Sequence, residues 1–190
     1  TVTSELYDGK KGIKVIPCYY KKDYPEWSDR GDGPGAPVAI HQPNSPVIAT
    51  GKRDGSKIRL PNGNYLEETA SYFVMVETAT GGFTPALITM KSTQLNVSKK
   101  WNSMMKTTQI PDGKGGFAIP PMHGVVYNLT STLQKNDKGS WYGWVVTMDR
   151  ILGQEDKSLY LGAKDFGANV SKGAVQTKSD VEEKSDSTPY

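Results

Sequence analysis

Between residues 23 and 47 the chain reads DYPEWSDRGDGPGAPVAIHQPNSPV. Proline fixes φ and removes a backbone donor, and glycine loses the most entropy on ordering, so no regular helix crosses such a stretch. The expectation is a long ordered loop that begins at Asp23 and is interrupted at most by a short PVAI strand. The same punctuation runs through the rest of the chain: 20 Gly and 12 Pro among 190 residues favour many turns and few long helices. The expected class is therefore β-rich, all-β or α+β, with one domain over residues 1–171. From Lys172 the large apolar residues disappear, and 172–190 reads as a flexible acidic tail.

What lies between the breakers alternates. GIKVIPCYYKK (12–22) is strand-like and ends on two tyrosines and two lysines. A PNGN turn precedes a strand at about 70–78, a TGG turn and a partner strand at about 83–91. A second hairpin joins VVYNLTST, at about 125–132, through KNDKG to SWYGWVV. Between the hairpins, STQLNVSKKWNSMMK sets Val97, Trp101, Met104 and Met105 on one helical face. Lys99, Asn102 and Lys106 fall opposite, and Ser92 or Thr93 is available as N-cap. This is the one convincing amphipathic helix; the remainder, ILGQEDKSLYLGAKDFGANV, adds a short helix or strand that packs Leu159, Leu161 and Phe166. Hairpin, helix, hairpin is an order accommodated by an OB-like antiparallel Greek-key barrel, and also by other antiparallel α+β arrangements.

Catalytic chemistry finds little to rest on. His41 and His123 both sit in Pro-flanked loops with no nucleophile elbow, and no two carboxylates stand out as an acid/base couple. RGDGPGAP has the glycines of a phosphate loop without its lysine or its following helix. Asp23, Glu26, Asp29 and Asp32 recur at intervals of three but follow no calcium-loop pattern. A single cysteine, Cys18, excludes internal disulfides and a cysteine zinc cluster, and suits a reducing compartment. No apolar run approaches the ~18 residues of a membrane span, and no leader is read in the sequence. The expectation is a non-enzymatic protein without cofactor or metal.

Charge and aromatic placement point elsewhere. The net charge is only +3, but residues 86–150 carry eight Lys/Arg against three Asp/Glu, and 151–190 carry five against seven. A basic middle followed by an acidic end is a pattern in which the tail competes with nucleic acid for the basic surface. Aromatics stand next to cations at Tyr19, Tyr20, Lys21 and Lys22, at Trp27 before Arg30, at Lys99 and Lys100 before Trp101, and at Lys138 before Trp141 and Tyr142. Proteins that hold single strands combine cations for phosphates with ring faces for bases. In KNDKGSWYGWVVTMDR, alternation sets Tyr142 and Trp144 on one strand face and Trp141 on the other with Gly143. The expectation is that Trp141 is the exposed stacking ring and Trp144 is core. Glu182, Glu183, Asp186 and Tyr190 in the terminal DVEEKSDSTPY form a candidate partner-binding tail.

NGNYLEETASYFVMV, STQLNVSKKWNSMM and NDKGSWYGWVV together resemble segments of small bacteriophage proteins, some of them similar to phage single-stranded-DNA-binding proteins. The resemblance covers roughly residues 12–150. It implies an OB-like core, non-specific binding of single-stranded DNA in phage replication or recombination, and no chemical step. The host cytoplasm is the location expected, with replication or recombination proteins as partners of the tail. A virion structural or assembly protein is the alternative, since exposed aromatics and Gly/Pro loops suit a subunit interface equally well.

Overall fold

One strand organises the fold. The computed structural model describes residues 8–29, 36–137 and 139–175, and in it β1 (Ile13–Trp27) runs for 15 residues. The loop expected from Asp23 therefore starts later, because residues 24–27 find strand partners of their own. After β1 come β2 (Ala39–His41), α1 (Pro46–Thr50), β3 (Lys52–Asp54), β4 (Lys57–Arg59) and β5 (Tyr65–Glu67). Then follow β6 (Thr69–Glu77), β7 (Phe83–Lys91), α2 (Leu95–Thr107), β8 (Ile110–Pro111), β9 (Phe117–Ala118), β10 (Val125–Asn136), β11 (Gly139–Ile151) and α3 (Lys157–Ser171).

The first part of β1 pairs with β10 on one side and β6 on the other, giving an antiparallel sheet in the order β7-β6-β1-β10-β11. This sheet curls into a half-barrel. A register shift between Pro17 and Tyr19 inserts Cys18 as an extra residue. Such a bulge bends the strand and raises its twist. The last four residues of β1 then enter a second, smaller sheet, pairing with β2 on one edge and β5 on the other, and β5 continues through β4 to β3.

Each face of the large sheet is covered by a helix. α2 lies on the face that carries Val15, Tyr72, Val74, Met90, Tyr127 and Leu129. Trp101 is fully buried there, stacked 4.3 Å from Tyr72 and edge-on 5.6 Å from Tyr127. The Tyr72 hydroxyl donates to the Ser98 carbonyl at 3.0 Å and accepts from Asn102 Nδ2 at 2.8 Å. Asn102 thus turns toward the sheet, against the expectation that it shares the solvent face with the lysines, because a buried phenol needs partners.

The helix begins at Leu95, after a short 3-10 turn over Ser92–Gln94, and neither Ser92 nor Thr93 caps it. Ser92 instead adopts a left-handed φ of 52°, and the Gln94 side chain accepts the Trp144 amide at 3.1 Å. That bond satisfies an amide on the outer edge of β11 and ties the start of the helix to it.

The opposite face holds Ile16, Cys18 and Val126 against Ala163, Leu159 and Phe166 of α3. This segment is a 15-residue helix, longer than the pattern suggested, and Leu161 points outward rather than packing. Glycine disfavours a helix interior, but Gly167 is needed: a Cβ there would collide with the carbonyl oxygen of Cys18. Burial pushes the Cys18 thiol up to about 12, so it is a packing residue and not a reactive one. A third cluster, Tyr24, Ile58, Leu60 and Leu66 with Val47 and Ile48 of α1, fills one face of the small sheet.

Replacing Trp101 by Ala should cost ~3–5 kcal/mol of folding free energy, and Gly167→Ala ~1–3 kcal/mol through the enforced separation of α3 from β1. Urea unfolding monitored by far-UV circular dichroism checks both values.

Candidate nucleic-acid interface

The basic and aromatic residues singled out from the sequence do not form one cluster. Tyr20 packs into the α2 side of the core, 4.9 Å from Tyr72, and the neighbouring Lys22 makes an ion pair with Glu68 at 3.1 Å. Alternation sends Tyr19 and Lys21 to the other face. Tyr19 contacts Phe73, and Lys21 pairs with the buried Asp23 at 3.0 Å. Strand geometry thus splits the four-residue cluster, and both lysines already neutralise carboxylates. Lys99 and Lys100 are exposed on α2, while Trp101 beside them is core. Arg30, Lys138 and the tail residues Glu182, Glu183, Asp186 and Tyr190 lie outside the described residues.

The exposed aromatic of the second hairpin is Tyr142. Trp144 and Val146 face the α2 core as alternation requires, and Trp141 is half-buried on the other face beside a buried Gly143. The side-chain amides of Gln94 and Gln134 pack where a Gly143 side chain would begin. Tyr142 shares the core-facing side with Trp144 yet is 72% exposed, and its direct partner Leu133 is 62% exposed. The reason is length. β10 meets β1 no further than Ile13↔Leu129, so the hairpin tip carries the core pattern past the end of the core. Lys135 is exposed two residues on from Leu133. Gln94 fastens α2 to β11, so Lys99 and Lys100 begin about 8 Å along the helix from that contact.

A second site went unread in the sequence. KRDGSKIR folds as the hairpin β3–β4 around Gly55, whose φ of 60° suits a tight turn. The Asp-Gly pair flanked by short charged runs is the signal that marks it. Cross-strand pairing aligns Lys52 with Arg59, Arg59 with Tyr65 and Tyr65 with Trp27, so these four side chains form one row on one face of the small sheet. Lys57 Nζ sits 3.5 Å from the centroid of the Tyr65 ring, and the Arg59 guanidinium 5.5 Å from it. Arg59 also reaches Asp29 at 3.0 Å and Asp54 at 3.5 Å.

Behind that row, on the opposite face, a buried carboxylate fixes the posture of the sheet. Glu26 Oε1 accepts from Asn64 Nδ2 at 2.6 Å and from Asn62 Nδ2 at 3.2 Å, while Oε2 lies 2.7 Å from His41 Nε2. Asn62 and Asn64 belong to the turn between β4 and β5, and His41 to β2, so one carboxylate clamps both neighbours of β1. These bonds, that from Asn64 foremost, hold the Glu26 carboxyl below its ordinary range. His41 is therefore a strand residue with a buried partner and not the solvated loop residue its Pro-rich setting suggests. His123 packs 4.9 Å from the Tyr160 ring, and burial, together with Lys164, lowers its pKa. Asp23, Glu26 and Asp29 all have protein partners, and Asp32 lies outside the described residues.

The chain matches the family model of the Pam3 phage gp34-like proteins over residues 1–176. It belongs to this family. Phage origin follows, and the family description names no activity. No curated protein and no solved structure matches the chain. No helix among the described residues is long and apolar enough to cross a membrane.

The Glu26 clamp predicts a pH dependence. A carboxylate whose folded pKa is depressed contributes stability above its unfolded value near 4.3, and that stability is lost as pH falls through the folded value. Thermal unfolding between about pH 5 and 2 should therefore show a falling midpoint in the wild type and a flatter curve in Glu26→Gln, whose wild-type difference is greatest above pH 5.

Proposed function

We propose that the protein is a non-enzymatic single-stranded-DNA-binding protein of a bacteriophage, acting in replication or recombination. The observation that carries this reading is the projecting β10–β11 tip, where Tyr142 and Leu133 stand exposed side by side with Lys135 on the same hairpin. A ring held clear of the core on a rigid hairpin stacks on a base at little conformational cost, and a nearby ammonium takes a phosphate. The order of the long elements supports an OB-like barrel left open. β1, β6 and β7 come first, then α2, then β10 and β11, with β1 between β6 and β10. In that architecture the loop between the fourth and fifth strands is a ligand-binding loop, and here that loop is the tip. Tyr19, Trp27, Lys99, Lys100 and Trp141 remain candidate contacts, whereas Tyr20 is committed to the core, Lys21 to Asp23 and Lys22 to Glu68.

A virion or assembly component is the second reading, favoured by exposed apolar side chains on two other elements. Phe117 and Ile119 are 71% and 56% exposed at and just beyond β9, and Leu161 is 44% exposed on α3. Such residues suit a subunit interface.

Titration of intrinsic tryptophan fluorescence with oligo-dT at several salt concentrations separates the two readings. DNA binding predicts saturable quenching and a log-log salt slope of about −0.7 per phosphate neutralised. Tyr142→Ala should weaken binding by ~1–3 kcal/mol while leaving the unfolding midpoint nearly unchanged. No binding at low salt, together with concentration-dependent light scattering, is the result expected of an assembly protein.

A further inference from the structure

We infer that the small sheet carries a second contact site for single-stranded nucleic acid, built from the row Lys52, Arg59, Tyr65 and Trp27 with Lys57 beside it. The inference rests on the DNA-binding reading above and adds a location to it. Three observations lead there. The first is the charge: residues 52–59 hold four cations against one carboxylate, a local excess equal to the +3 of the whole chain. Arg59 engages Asp29 and Asp54, but among the described residues no ion pair engages Lys52 or Lys57. This contrasts with Lys14, Lys21, Lys22 and Lys91 on the large sheet, each held by a carboxylate.

The second observation is the alignment. Four strands about 4.8 Å apart set two cations and two rings in a row of roughly 14 Å, with cations at the free edge and aromatics toward the body. The rings offer faces to bases, and the ammonium groups offer charge to the phosphates that link them. In the free protein Lys57 rests over the Tyr65 ring, a single cation–ring contact that a phosphate can replace.

The third observation is that the face is built to hold its shape. Leu66, Ile58 and Tyr24 pack its reverse side against α1, and Glu26 ties the β4–β5 turn and β2 to β1. Three-residue strands carrying this much charge would not keep a register without such anchors.

The row lies at the C-terminal end of β1 and the Tyr142 tip beyond its N-terminal end. A 15-residue strand measures at most about 50 Å, so a short oligonucleotide occupies one site and a longer one engages both.

The test compares oligo-dT of about 6 and about 16 nucleotides, the latter at the top of the range for such folds, on four proteins. These are the wild type, Tyr142→Ala, the pair Lys52→Glu with Lys57→Glu, and all three changes together. The lysine pair is expected to lower affinity for the longer strand at least tenfold and to reduce the salt slope by about 1.4, the loss of two phosphate contacts. Its effect should add to that of Tyr142→Ala. Photocrosslinked thymidine should map to the peptides that contain Trp27 and Tyr65. If the lysine pair perturbs folding, Lys52→Glu alone, at an exposed edge position, should give about half the slope change. Wild-type binding of the longer strand with an unaltered slope in both lysine variants overturns the second site and leaves the first standing. Failure of the wild type to bind either oligonucleotide overturns both.

Discussion

Every layer of the protein is built on β1. Its first part is the middle strand of the large sheet, and its last four residues are the middle strand of the small one. The helix packings depend on the same strand: Val15 faces α2, while Ile16 and Cys18 face α3. The bulge at Cys18 bends β1 beyond its pairing with β10, while β6 keeps it as far as Asp23, where the small sheet takes over. A strand paired with β10 over 13–15, with β6 over 15–23 and with β2 and β5 over its last four residues has little freedom to slip, because a shift by one residue would send Val15 and Ile16 to the wrong helices.

From this spine the two candidate contact regions emerge as overhangs. At the N-terminal end of β1, the β10–β11 hairpin outruns its partner and carries Leu133 and Tyr142 into solvent. At the C-terminal end, β1 donates Trp27 to a row of charged and aromatic side chains whose backs are buried. Both present rings and cations along strands, which suits a linear polyanion better than a compact ligand. Membership of a phage family is compatible with that use and does not specify it.

The sequence was most legible where one physical signal dominated. The β6–β7 hairpin fell within a residue of the expected bounds because long apolar alternation and a TGG turn agree. α2 was visible through Val97, Trp101 and Met105, although its cap was not, because Gln94 satisfies a distant strand rather than its own helix. α3 was obscured by Gly162 and Gly167, residues that read as helix breakers until Cys18 is known to lie against one of them. The small sheet was hidden for a different reason. Its added strands are only three residues long, too short for alternation to register, and its anchor joins Glu26 to residues 36 and 38 positions away. The candidate contacts followed the same logic. Local clustering of Tyr19 to Lys22 overstated a site that strand alternation divides, while the Trp27–Tyr65–Arg59–Lys52 row exists only after four strands have paired.

Hydrogen exchange measured by mass spectrometry, with and without saturating oligo-dT of about 16 nucleotides, tests the central claim most directly. The account predicts slowed exchange in two separate places, the hairpin tip around residues 132–144 and the segment from Lys52 to Leu66, with α3 unaffected. Unchanged exchange in both places, or protection confined to α3 and the β8–β9 hairpin, would contradict it.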